Sequence, residues 1–73
     1  MNTAPIHQRL PSEERGRFLR GLREVRGFSQ VTLAVRSGVS LTTLSVAERT
    51  GFLTAATAQR LAAALEVKPE ELL

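Results

Sequence analysis

The side chains of this sequence that can do chemistry are cations and hydrogen-bonding groups. Nine arginines and one lysine stand against seven carboxylates, a net charge of +3. Such a balance suits phosphate binding, and the bias to arginine suits bidentate contacts. The hydrogen-bonding groups concentrate in one stretch, where Gln30 is followed after Gly38 by Ser40, Thr42, Thr43, Ser45 and Arg49. Covalent chemistry finds no support. There is no cysteine, and His7 is the single histidine. No Ser/His/acid set, metal-ligand cluster or phosphate-cradling glycine loop is present. The Gly16 and Gly21 spacing falls inside a helical pattern, the wrong context for such a loop. Glu13-Glu14 and Glu70-Glu71 are acids of helix first turns. The chain is therefore expected to bind and not to catalyse, with no cofactor and no metal.

Groups of this kind need a rigid frame, and residues 29–49, SQVTLAVRSGVSLTTLSVAER, supply one. Ser29 is an N-cap for a short helix over Gln30–Ser37. Gly38 follows, where the chain must reverse and a left-handed residue is wanted. Val39 plugs the turn, and Ser40 caps a second helix to about residue 49. Leu33, Ala34, Val39, Leu44 and Ala47 can meet as one small core, with Ala34 letting the helices approach. Two helices crossing through a short glycine turn form a helix-turn-helix, whose second helix is the one offered to the DNA major groove.

The remainder of the chain supports that unit. Residues 1–11 carry two prolines and no period. They read as a flexible arm, with Arg9 placed to touch DNA if the arm does so. The domain proper spans residues 12–73. A first helix starts near Ser12 and ends at Gly27. Phe18, Leu19, Leu22 and Val25 give it an apolar stripe, while Arg15, Arg17, Arg20, Arg23 and Arg26 spread over its other faces. Gly21 is expected to allow close packing and Gly16 to lie where the helix frays. Phe28 anchors the join to the second helix. Thr54 caps a fourth helix over Ala55–Leu65, with Ala58, Leu61, Ala62 and Leu65 on its inner face. Lys68 to Leu73 read as the first turn of a fifth helix, with Pro69 at its first position.

The order of these pieces resembles the phage repressor and Cro type of helix-turn-helix domain, known as the XRE family. The matching text is LRGLREVRGFSQVTLAVRSGVSLTTLSVAER followed by RLAAALEVKPEELL. Each piece is weak alone, and together in order they form a strong signal over about residues 17–73. The resemblance implies an all-α, compact five-helix fold that binds operator DNA, usually as a dimer. It also implies roles for single residues. Gln30 matches a glutamine that contacts a phosphate and steadies the recognition helix. Arg23 and Glu48 match a partly buried salt bridge with a structural role.

The positions of Leu41, Thr42, Ser45 and Val46 commonly read bases in such domains. This sequence departs from that pattern, because none of the four is Gln, Asn, Lys or Arg. Thr42 and Ser45 can bond base edges, and Leu41 and Val46 can touch thymine methyl groups. DNA shape then supplies part of the selectivity. Arg49 is assigned to a phosphate. The other outcome is that Leu41 and Val46 face a protein. The loop after the third helix also departs, being one residue shorter and without the usual basic residues and proline. Phe52 in that loop is placed in the core, in preference to an exposed subunit contact.

The function expected is that of a small sequence-specific transcriptional regulator, placing residues 41–49 in the major groove of a palindromic operator as a homodimer. A phage-type repressor, a restriction–modification controller and an antitoxin all fit. The alternative is a protein-interaction module of the same fold, such as an antitoxin or adaptor. No apolar run approaches the ~20 residues of a membrane span, and no secretion signal is evident. The expected compartment is the cytoplasm.

Overall fold

The computed structural model describes residues 12–73, so the arm and Arg9 lie outside the described residues. Four helices follow in order: α1 (Ser12–Val25), α2 (Gln30–Ser37), α3 (Leu41–Thr50) and α4 (Ala55–Leu65). A 3-10 turn, Pro69–Glu71, comes after them. Among the described residues there is no strand. The architecture is all-α.

Three of the four helices open in the same way. Ser29, Ser40 and Thr54 are extended residues whose hydroxyls accept from the backbone N–H three positions on. That position holds a threonine each time, and the cap hydroxyl donates to its Oγ1 at 2.9, 2.8 and 3.0 Å. Each cap is worth about 1 kcal/mol. Gly38 closes α2 at φ 74°, with its N–H bonded to the Ala34 carbonyl. This left-handed geometry sends the chain directly into the Ser40 cap.

Every helix contributes leucine to one core. Leu19, Leu33, Leu44, Leu61 and Leu65 are fully buried, and Leu72 joins them from beyond the 3-10 turn. Ala34, Val39, Ala47, Ala58 and Ala62 fill the spaces between. Burying each leucine contributes about 1.5–3 kcal/mol. Phe28 is half-buried against this cluster, and the Arg36 guanidinium lies 4.9 Å from the centre of its ring.

Several expectations are corrected. The buried line of α1 is Gly16, Leu19 and Arg23, with Leu22 beside it. Phe18 and Val25 stand roughly 130–150° from that line at 100° per residue. Both are exposed, Val25 at 83%. Neither helix glycine has the role expected of it, since both lie inside a continuous α1 and the close approach is at Gly16. A β-carbon at Gly21 would meet nothing within 4 Å. One at Gly16 would run into the Glu48 carbonyl and lie 2.9 Å from the Ala47 carbonyl. Gly16 is thus where α1 and α3 touch, backbone to backbone.

Phe52 is also exposed, at 67%, and only Leu53 of that loop packs on the core. The expected fifth helix is a 3-10 turn. Its bonds span three residues, Glu71 N–H to the Lys68 carbonyl and Leu72 N–H to the Pro69 carbonyl, both at 3.0 Å. So short a piece gains few i to i−4 bonds against the cost of nucleating a helix. The Glu71 carboxylate closes the turn by accepting from the Lys68 N–H.

Candidate nucleic-acid interface

The interface rests on a buried cluster drawn from three helices. Arg23 of α1 donates Nε to Glu48 Oε2 at 2.5 Å and Nη2 to Glu48 Oε1 at 3.0 Å. Its Nη1 donates to the Phe28 carbonyl at 2.9 Å. Gln30, first residue of α2, donates Nε2 to Glu48 Oε1 at 3.0 Å. The Arg23 and Glu48 side chains are 10% and 4% exposed. The hydrogen bond to Glu48 raises the Arg23 pKa above its usual value, against the opposing pull of burial.

A buried pair of this sort adds little net stability against an apolar replacement. What it does is fix geometry. The planar fork locks the rotation of α3 about its axis, and Gln30 ties the start of α2 to the same carboxylate. One carboxyl oxygen serves two donors, and no buried polar side-chain atom of the described residues lacks a partner. The acid carried by α3 is therefore turned inward and satisfied.

With Leu44, Ala47 and Glu48 turned to the interior, the outer face of α3 is defined. Leu41 is 45% exposed, Thr42, Thr43 and Arg49 are exposed, and Ser45 and Val46 are half-buried. Ser40 and Thr43 carry the cap. The Ser40 hydroxyl accepts from the Thr43 N–H and donates to its Oγ1, which occupies the serine in holding the helix start. Gln30 spends one of its two amide hydrogens on Glu48 and keeps the other.

Two open clefts flank α3. One, of about 390 Å³, is lined by Arg20, Arg23, Gln30, Ser45, Glu48 and Arg49. The other, of about 290 Å³, lies beside the turn and the start of α4, with Ser40, Thr43, Thr57 and Arg60 in its lining. Neither Arg20 nor Arg60 stands out in the sequence as a site residue. Helical phase puts Arg20 on the polar side of α1 but does not say which neighbour it overlooks.

This arrangement defines a class: a three-helix polar frame presenting the second helix of a helix-turn-helix. The family of helix-turn-helix domains matches residues 14–73. The chain belongs to that family, in its Cro and phage-repressor form. Among curated proteins nothing matches. The crystal structure of the restriction-modification controller protein C.AhdI from Aeromonas hydrophila is similar, with a TM-score of 0.78 and 35% identity. The likeness covers 85% of this chain and 96% of that one. Among the described residues no helix is long and apolar enough to cross a membrane.

Proposed function

We propose that this small DNA-binding regulator acts as a homodimer, placing α3 in the major groove of each half of a palindromic operator. The observation that carries the reading is the division of α3. One side is locked to α1 and α2 through Glu48. The other side turns Leu41, Thr42, Ser45, Val46 and Arg49 away from the core. Thr42 and Ser45 exchange hydrogen bonds with base edges, and Leu41 and Val46 pack on thymine methyl groups. Gln30, through its second amide hydrogen, and Arg49 hold phosphates. With few polar readers, the deformability of the operator contributes to selection.

In a dimer the two copies of α3 sit about 34 Å apart, one turn of the duplex. The similarity to a restriction-modification controller supports a role in gene control. The protein binds without catalysing, and works in the cytoplasm where its DNA lies. The test is selection from a random duplex pool at stepped salt, followed by sequencing. The expected result is a two-fold symmetric motif whose retention falls steeply with salt. Retention without a motif would mean that Leu41 and Val46 do not read bases.

A second reading is favoured by the exposed Phe18 and Phe52. They would give the same fold an apolar surface for another protein. Loss of DNA retention in the Gln30→Ala, Arg49→Ala double variant, with self-association intact, supports the first reading over this one.

A further inference from the structure

Thr43 and Ser45 lie on opposite flanks of α3. At 100° per residue the outward arc between them spans roughly 160°, and it carries Thr42, Val46 and Arg49. Thr43 lines the cleft that contains Arg60 of α4, and Ser45 lines the cleft that contains Arg20 of α1. An arginine from a different helix therefore stands on each side of the reading face.

The major groove is about 12 Å wide, and a helix with its side chains measures about 10–12 Å. A helix seated there fills the groove, so whatever flanks it stands over the two phosphate backbones. We propose, resting on the DNA-binding reading above, that Arg20 and Arg60 hold phosphates of opposite strands. They clamp α3 across the groove and set its depth and tilt without reading sequence.

The chemistry at each flank suits an oxyanion. On the α1 side, Arg20 donates Nε to Glu24 at 3.2 Å in a pair whose side chains are 63% and 55% exposed. Its cleft adds the Ser45 hydroxyl and the remaining Gln30 amide hydrogen. The acid in that cleft, Glu48, is already held by Arg23 and Gln30. On the α4 side, Arg60 donates Nη1 to the Gly38 carbonyl at 3.3 Å, which draws the guanidinium over the turn. Thr43 and Thr57 each accept from a cap hydroxyl, leaving their own O–H free to donate. Among the described residues no carboxylate lines this cleft.

The experiment compares wild type with Arg20→Gln and Arg60→Gln on the selected operator. Glutamine keeps a donor for the Gly38 carbonyl while removing the charge. Each variant is expected to lower the magnitude of the log–log salt slope by about 0.9 for every phosphate it no longer neutralises, with the selected motif unchanged. Arg20→Lys and Arg60→Lys restore the slope. Operators with single neutral methylphosphonate linkages then locate the phosphate held by each arginine. The linkage that weakens wild type but not Arg20→Gln should lie on one strand of the half-site, and that for Arg60→Gln on the other. Unchanged slopes, or both linkages on one strand, overturn the clamp while leaving the DNA reading intact. Failure of wild type to bind any duplex in a salt-dependent way overturns both. Thermal melting of each variant shows whether the fold is retained.

Discussion

Gly16 of α1 and Glu48 of α3 meet backbone to backbone, so closely that a β-carbon on Gly16 would strike the Glu48 carbonyl. The same Glu48 receives Arg23, which lies about two turns further along α1. The close approach and the ion pair together set the crossing of these helices. Gly16→Ala is expected to destabilise the fold by about 2–3 kcal/mol, since a backbone carbonyl cannot rotate away as a side chain can. Gly21→Ala, where a β-carbon meets open space, should stabilise by about 0.5–1 kcal/mol through the helix preference alone. Urea unfolding of the two variants measures the opposite signs; equal effects would remove the close-approach account.

A double-mutant cycle on Arg23 and Glu48 gives the second prediction. Glu48→Ala leaves a buried guanidinium without its carboxylate and should cost about 3–5 kcal/mol. Replacing the pair together by Met and Leu should cost far less than the sum of the singles. Additive effects in denaturant unfolding would show that the two do not act as a unit.

Gln30→Ala has two consequences that can be separated. It removes one of the three hydrogen bonds to the Glu48 carboxylate, a change of about 1–2 kcal/mol in stability. It also removes a neutral phosphate donor, which weakens DNA binding with the salt slope unchanged, since an uncharged amide releases no counterion. Arg49→Ala, exposed and at the end of α3, should lower the magnitude of the slope by about 0.9, with stability within about 0.5 kcal/mol of wild type. A slope unchanged by Arg49→Ala, or an affinity unchanged by Gln30→Ala, would move that phosphate contact elsewhere.

Phe52→Ser tests the exposed loop. With two thirds of the residue in solvent, monomer stability should change by less than about 0.5 kcal/mol. Sedimentation at increasing concentration then shows whether the ring joins two copies. A weaker dimer places the loop in the subunit contact, and an unchanged one leaves Phe52 for a different partner.

Periodicity, caps and turn glycines are local, and they were legible. The α2–turn–α3 unit, the inner face of α4 and the caps at Ser29, Ser40 and Thr54 all follow from near neighbours in the chain. What escaped depends on a second element. Gly16 and Gly21 are identical in sequence terms, and only the position of α3 distinguishes them. Phe18 and Val25 share an apolar stripe with Leu19 and Leu22, yet α3 covers the Gly16 side of α1 and leaves them in solvent. Hydrophobicity alone places Phe52 in the core, although its loop buries Leu53 instead. The flanking arginines were visible as charges. Their placement beside α3 required the crossing angles.

The inward turn of Glu48 also separates two kinds of inheritance on one short helix. Leu44, Ala47 and Glu48 hold the fold, while the side chains of Leu41, Thr42, Ser45 and Val46 make no hydrogen bond on which it depends among those described. Those four positions can be exchanged at little thermodynamic cost. On the proposed reading of α3, a new operator preference arises by surface drift with the frame untouched, and grafted side chains at these four positions should redirect the chain to a different operator.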